Sequence, residues 1–335
     1  MRLTRPEGRL LAAVARRLTR RPRAWALRRL SRVLGPVFAA VARTGDGSEE
    51  CLRHGFLPVA LHFYQPVFDP QAVGPGLWER RHPMPGLSFS PERQLDYLGQ
   101  LARFGAECEW PARADRRGGY HYANGAFGYS SACLLHAVIR LNRPGKVVEV
   151  GAGMSTLVIA GALAANQAAG GRPAELVSVD PYPSRVLDAL PAERLRMVAA
   201  PVEQVPLEEF TSLCAGDLLF IDSSHVVRTG GDVTFLYLEV LPRLAPGVVV
   251  HVHDIQFPYE YPRVYADGSG GPRYFWTEQY LLQAFLTLNP RFEVLLAGHF
   301  LQRDHLEAFA RSFPGLRPEA HRVTSSFYMR RADTA

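Results

Sequence analysis

The sequence predicts an α/β fold built on a mostly parallel sheet, and three observations carry that expectation. From Ser130 onward short apolar runs alternate with helical patterns; several of the runs close on an acid; and the first closes on a glycine turn, Lys146-Val-Val-Glu149-Val-Gly151-Ala-Gly153-Met-Ser155-Thr156. Regular strand–helix alternation implies parallel strands with helices on both faces. A glycine turn between a strand and a helix lets backbone N–H groups come close to a ligand, as a nucleotide-type cofactor requires.

The elements follow in order. Ser90 to Phe104 reads as a helix, with Ser90 as cap, Pro91 at the first position and Leu95, Leu98 and Leu101 on one face. Ser131 to Leu141 looks helical, Val147–Val150 is a strand, and Ser155 to Ala168 is a helix. Leu176–Val179 is a strand, Ser184 to Leu190 a short helix, and Arg196–Ala200 and Asp217–Ile221 are strands. Val233 to Leu241 is a helix, Val248–Val252 a strand, Thr277 to Leu288 a helix and Phe292–Leu296 a strand. His305 to Phe313 is a helix and Ser326–Arg330 a final strand, the last two strands being suited to antiparallel pairing at an edge.

The domain reading is a basic leader over 1–44, an irregular extension over 45–129 rich in Pro, Gly and aromatics, and the α/β domain over 130–335. The leader holds twelve arginines and one acid, Glu7, and so carries +11; the whole chain is +6, which leaves −5 on the remainder. Leu10, Val14 and Leu18 recur at helical spacing, and the pattern resumes from Trp25 to Phe38 after Pro22. Two readings stay open: a peripheral membrane or acidic-partner helix, or a solvated leader or one packed on the body. No nucleic-acid recognition motif accompanies the charge. The cysteines, Cys51, Cys108, Cys133 and Cys214, are far apart and free of Cys-x-x-Cys spacing, which favours a reducing compartment and a cytoplasmic location. No apolar run reaches the roughly 18 residues of a membrane span.

In open α/β sheets ligands bind beyond the carboxyl ends of the strands. Glu149, Asp180, Asp222 and Asp254 all fall there, each closing an apolar run. Asp180, at the end of the strand after the glycine turn, is placed to accept hydrogen bonds from both ribose hydroxyls of a nucleoside. The third glycine of a dinucleotide fingerprint would fall at Thr156, which weakens a nicotinamide reading.

Glu149-Val-Gly-Ala-Gly-Met-Ser155 resembles the first motif of class I S-adenosylmethionine-dependent methyltransferases, and Asp180-Pro-Tyr-Pro183 resembles their ribose-binding acidic motif. Phe220-Ile-Asp-Ser-Ser-His225, His251-Val-His-Asp-Ile255, Pro258-Tyr-Glu-Tyr-Pro262 and the run Trp276 to Phe285 resemble a bacterial, small-molecule O-methyltransferase-like branch, over roughly residues 55–331. The resemblance implies a Rossmann-like seven-stranded sheet with an antiparallel edge hairpin, and transfer of a methyl group from S-adenosyl-L-methionine to a hydroxyl of a sugar or secondary metabolite. It also implies roles. Gly151 and Gly153 would let the backbone pass the methionine part of the cofactor, with Glu149 and Ser155 holding that region by polar contacts. Asp180 would bind the ribose, Tyr182 and Val202 would flank the adenine, and Asp222 would sit below the sulfonium and the substrate. Asn124-Gly-Ala-Phe127 resembles the approach segment to the acceptor.

Methyl transfer to a hydroxyl needs alignment and removal of a proton. His225, three residues past Asp222, and His253, beside Asp254, are the candidate bases, on loops expected to converge. Asp222 and Asp254 also offer the hard oxygen ligands that Mg2+ or Ca2+ prefers. His251 reads as a core or second-layer histidine. The aromatic, Gly-rich segment Tyr259 to Trp276 could cover the substrate, with Tyr259, Tyr261, Tyr274 and Trp276 lining its pocket and Glu278 as a polar anchor. The competing functional readings are an NAD(P)-dependent oxidoreductase on a similar sheet and a non-catalytic cofactor-binding or scaffold protein.

Overall fold

The computed structural model describes residues 24–114, 119–317 and 321–333. The expected leader positions Leu10, Val14 and Leu18 lie outside them. The chain divides into two compact units, Met1–Val73 and Gly74–Ala335, a division inside the stretch read from sequence as the extension.

In the first unit a helix runs Ala24–Thr44, with a short helix at Ser48–Arg53. Gly47, in the left-handed region at φ 81°, makes the turn between them. No helix among the described residues is long and apolar enough to cross a membrane.

The second unit carries a seven-stranded sheet: β1 (Lys146–Val150), β2 (Glu175–Val179), β3 (Arg196–Val198), β4 (Leu218–Ile221), β5 (Val249–Val252), β6 (Phe292–Ala297) and β7 (Phe327–Arg331). Their spatial order is β3-β2-β1-β4-β5-β7-β6. Every pairing from β3 to β5 is parallel, whereas β7 runs antiparallel to both β5 and β6. The central strands Leu-Leu-Phe-Ile and Val-Val-His-Val are buried along their whole length, as parallel strands covered on both faces require. The order reverses between β1 and β4, and a crevice opens beyond the strand ends at such a switch point.

Helix Tyr129–Asn142 is buried from Tyr129 to Arg140 and packs on helix Met154–Ala168. Its Arg140 is held by Glu107, at 2.7 Å, and by Asn166, at 2.6 Å. Helix Pro91–Leu101 begins as its sequence predicts, with Ser90 Oγ accepting from the Arg93 N–H. It packs on β6, where buried Gln94 accepts from the Ala297 N–H at 2.8 Å.

Three local expectations are revised. The helix expected over Val233 to Leu241 is α-helical only at Asp232–Phe235, widens to a π turn at Leu236–Val240 and tightens at Leu241–Arg243, where Pro242 has no N–H to continue it. Ser184 to Leu190 is one 3-10 segment, Arg185–Ala189. A helix at Gly298–Asp304, which apolar periodicity does not announce, follows β6 directly.

Candidate active site

The parallel ladder brings four loops together. The N–H of Gly151 donates to Val179, that of Asp222 to Val150 and that of His253 to Ile221, so the residues just past β1, β4 and β5 stand side by side. They open on a cavity of about 770 Å³ lined by the glycine turn, Asp180, Asp222, His253 and Asp254, with Tyr274 and Trp276 opposite in sequence origin.

Gly151 is required twice over. Its φ is 92°, and a Cβ there would overlap the backbone carbonyl of Asp222. The turn is held from behind by Glu149, which has no exposed surface. Its carboxylate accepts from Ser155 Oγ (2.7 Å), Thr156 Oγ1 (2.7 Å) and Ser178 Oγ (2.5 Å). Thr156 Oγ1 accepts in turn from the Gly153 N–H at 2.9 Å. Burial pushes the Glu149 carboxyl up to about 7, against the pull of these hydroxyls. The expected direct contact of Glu149 with the cofactor is therefore corrected: its oxygens are committed inside the protein, and it shapes the turn.

Asp180 lines the cavity, accepting from the Ala152 N–H at 3.0 Å through Oδ2 and from the Tyr182 N–H at 2.6 Å through Oδ1. Each oxygen keeps a second lone pair for a ribose hydroxyl. Tyr182 and Val202 do not line the cavity; Tyr182 is 87% exposed and Val202 is buried at 4%.

His225 has φ 60° and is buried. Its carbonyl accepts from the N–H groups of Thr277 and Glu278, which ties the β4 loop to the start of helix Glu278–Leu286. Its Nδ1 donates to Glu278 Oε2 at 2.8 Å; its Nε2 lies 3.3 Å from Asp222 Oδ1 and 3.5 Å from Asp254 Oδ2. Burial opposes a charge on this ring, but the carboxylates of Asp222 and Glu278 outweigh it and hold its pKa well above the ordinary histidine value. Burial likewise opposes ionisation of Asp222, and the imidazoles of His253 and His225 reverse that, lowering its pKa. Glu278 goes the other way, raised by burial despite His225. Glu278 thus faces His225, and its expected part as a substrate anchor is corrected.

His253 is 5% exposed, yet its ring reaches the cavity wall. Its Nδ1 is 3.4 Å from Ser326 Oγ and its Nε2 is 3.9 Å from Asp254 Oδ1. Asp254, at φ 58°, also accepts from Ser325 Oγ at 2.7 Å. His251 is fully buried against Tyr328 and Phe220; burial, then the neighbouring His253, drives its pKa well down, so it belongs to the core.

Two further expectations are corrected. Asn124 spends its side chain on its own turn, donating to His121 and Phe127 carbonyls and accepting from the N–H groups of Ala126 and Phe127; Gly125 and Ala126 line the cavity instead. Tyr259 donates to Asp304 at 2.6 Å, lies under Arg303 and borders a separate, smaller cavity. Ser131, Tyr265, His299, Arg322 and Ser325 also line the main cavity. Of these only Tyr265 falls in the aromatic segment read from sequence as a cover; no spacing rule points to the other four, which the chain delivers from three distant segments.

This strand order, with a glycine turn after β1, an acid after β2 and a second acid after β4, is a Rossmann-like seven-stranded sheet with the antiparallel edge expected from the sequence. Residues 148–255, from β1 through β5, match a family described as a methyltransferase domain. No curated protein sequence matches the chain. Among solved structures the chain is similar to CmcI in its apo form, at 16% identity and TM-score 0.38, covering 61% of this chain and 72% of that one. It is similar to CmcI with SAH at 14% identity and TM-score 0.37, covering 69% and 91%. It is similar to apo CalS11, a TDP-rhamnose 3'-O-methyltransferase of calicheamicin biosynthesis, at 15% identity and TM-score 0.37, covering 74% and 97%. Overlaps this loose assign no residue a role.

Proposed function

We propose that this chain transfers a methyl group from S-adenosyl-L-methionine to a hydroxyl of a small molecule, with His253 taking the hydroxyl proton. One observation supports it above the rest: Asp180, Asp222, His253 and Asp254 share one cavity with the glycine turn. The cofactor supplies an electrophilic methyl on a sulfonium. The open glycine turn and the two free lone pairs of Asp180 fit its two ends, and the carboxylate of Asp222 fits a cationic centre between them.

The protein's own work is alignment and proton transfer. Bringing acceptor and donor into line within one cavity removes the entropy of their encounter. His253 receives the proton, and Asp254, 3.9 Å from its Nε2, stabilises the imidazolium that results. His225 serves differently. As an imidazolium between Asp222 and Asp254, fixed from behind by Glu278, it holds two carboxylates at positions where they would otherwise repel.

A divalent cation is the finer part of this reading. One ligand atom each from Asp222, His225 and Asp254 lies within 4.8 Å of the others. Two carboxylates with one imidazole suit Mn2+ or Zn2+ better than the Mg2+ or Ca2+ expected from the two acids alone. Such an ion would polarise the acceptor hydroxyl, and its binding would displace the proton on His225 Nε2.

Calorimetry tests the proposal. Micromolar binding of S-adenosylhomocysteine with none for NAD supports it, and the reverse result would sink it. Cofactor binding without transfer to any hydroxyl acceptor would favour the scaffold reading. The oxidoreductase reading is disfavoured by Thr156, which occupies the third-glycine position with its hydroxyl committed to Glu149.

A further inference from the structure

We propose that the methyl acceptor carries an anionic group, a phosphate or a carboxylate, that docks on Arg322 in the wall of the cavity shared with the glycine turn. The inference rests on the methyltransferase reading and names the substrate class within it. Among the described lining residues, Asp180, Asp222 and Asp254 are acidic and Arg322 is the one permanently cationic side chain. The other two arginines of the covering loop are already tied. Arg263 pairs with Asp267 at 3.6 Å, and Arg273 donates to the Ala266 carbonyl at 2.5 Å. Arg322 is exposed, and no carboxylate among the described residues pairs with it. A guanidinium at a cavity wall that no described carboxylate holds is suited to bidentate recognition of carboxylate or phosphate.

The position defines the ligand. Arg322 is three residues from Ser325, whose hydroxyl bonds to Asp254, so at most about 10 Å of chain separates the two. Tyr265, Tyr274 and Trp276 line the same cavity, with Tyr265–Trp276 ring centroids 4.7 Å apart and Tyr274–Trp276 centroids 5.4 Å apart. Aromatic faces of this kind cover the apolar side of a ring. The acids repel an anion at the reacting end. A hydroxylated ring with its anionic group at the opposite end satisfies both walls.

The test is calorimetric titration of the full chain loaded with S-adenosylhomocysteine. Two matched pairs are used: glucose 1-phosphate against glucose, and 3,4-dihydroxybenzoate against catechol. The charged member of at least one pair binds at least tenfold tighter than its neutral partner, and the pair that responds tells phosphate from carboxylate. In Arg322→Gln the preference falls below threefold while S-adenosylhomocysteine affinity stays within twofold. Three results overturn the proposal: no charge preference in the wild type, a preference that survives Arg322→Gln, or a tenfold loss of S-adenosylhomocysteine affinity in that variant, which would assign Arg322 to the cofactor's carboxylate. Failure of the wild type to bind S-adenosylhomocysteine counts against the cofactor reading instead, and the pairs are then read on the unliganded chain.

A second observation, independent of the cavity, concerns helix Ala24–Thr44. We infer that its apolar face docks on an anionic lipid surface. At 100° per residue Leu27, Leu30, Val33, Leu34, Val37 and Phe38 fall on one arc of about 140°. Each is at least 37% exposed, Val33 reaching 73%. Arg28, Arg29, Arg32 and Arg43 fall on the opposite side, and the helix contains no acid. The arginine side also carries Trp25, 60% exposed and covered by Arg29 at 4.5 Å. Apolar residues on one side with four arginines and no acid on the other is the pattern of an interfacial helix, and the charge selects anionic lipid. Flotation of the full chain with phosphatidylcholine vesicles containing about a third phosphatidylserine tests it. Binding is expected there and not on pure phosphatidylcholine, with at least a fivefold loss in Leu34→Asp/Val37→Asp. Equal binding to both vesicles, binding to neither, or a concentration-dependent dimer that the double variant disperses would overturn it.

Discussion

The Nδ1 of His225 lies 2.8 Å from Oε2 of Glu278, a carboxylate with no exposed surface. That contact joins the loop after β4 to the first turn of helix Glu278–Leu286, so one ion pair sets both the acid-bearing loop and the aromatic segment before the helix. Removing one partner of a buried pair strands the other, at a cost of about 3–5 kcal/mol. Glu278→Ala is therefore expected to lower the unfolding free energy by a few kcal/mol. Adding His225→Ala leaves Asp222 and Asp254 to repel, so stability falls further, but the double loss is expected to be smaller than the two single losses summed, because each single variant already removes the His225–Glu278 contact. A double-mutant cycle checks it, and additive losses would show the pair to be uncoupled.

Gly151→Ala tests the close approach of two loops. The added methyl meets the Asp222 carbonyl and the φ of 92° disfavours any side chain, so β1 and β4 loops must separate. S-adenosylhomocysteine affinity is expected to fall at least tenfold, about 1.4 kcal/mol, measured by calorimetry. Unchanged affinity would mean that the cofactor does not use this turn.

Asp180→Ala removes both the proposed ribose acceptor and the bonds to the Ala152 and Tyr182 N–H groups. A loss of at least tenfold in S-adenosylhomocysteine affinity is expected. Adenine alone, lacking the ribose, should lose far less. Equal losses for both ligands would point to collapse of the turn in place of a lost ribose contact.

Glu149 makes stability depend on pH. Its carboxyl titrates near 7 in the fold against an ordinary value of 4.5. Between those values the unfolded chain has lost the proton and the folded chain keeps it, so this group's contribution falls as pH rises through that window. From pH 5 to pH 8 the wild type should lose about 2 kcal/mol relative to Glu149→Gln, which does not titrate. Urea unfolding of both proteins at the two pH values measures it, and parallel profiles would refute the assignment.

Metal binding is checked on chelator-treated protein. Added Mn2+ is expected to raise the melting temperature of the wild type and to leave that of Asp254→Asn unchanged, since the variant lacks one of the three ligand groups. No shift in the wild type would leave the Asp222–His225–Asp254 cluster as an ion pair alone.

The sheet and its crevice were legible in the sequence because the signals are local. Val-Val-Glu-Val, Leu-Leu-Phe-Ile and Val-Val-His-Val are continuous buried runs, and the acids that end them fall at the same end of a parallel sheet by construction. Gly151 was legible for the same reason: a strand that turns straight into a helix beside another strand leaves no room for a side chain. The helix over Val233 to Leu241 was less so, since its widening at Leu236–Val240 answers to packing.

Which polar groups face the cavity was decided by tertiary structure. Glu149, Asn124 and Glu278 are of the right type at the right spacing, yet their hydrogen bonds close on Ser178, on a local turn and on His225. Arg322 carries no local signal and reaches the cavity only because the segment after helix Leu306–Ser312 folds over it, whereas Tyr265 lies in the aromatic segment that the sequence already marked as a cover. A sequence specifies where a strand ends and a turn must be glycine, because those are short-range steric facts. It does not specify whether a buried carboxylate is already satisfied, because that depends on how separate elements come together, as when Ser178 on β2 reaches Glu149 on β1 and His225 reaches Glu278.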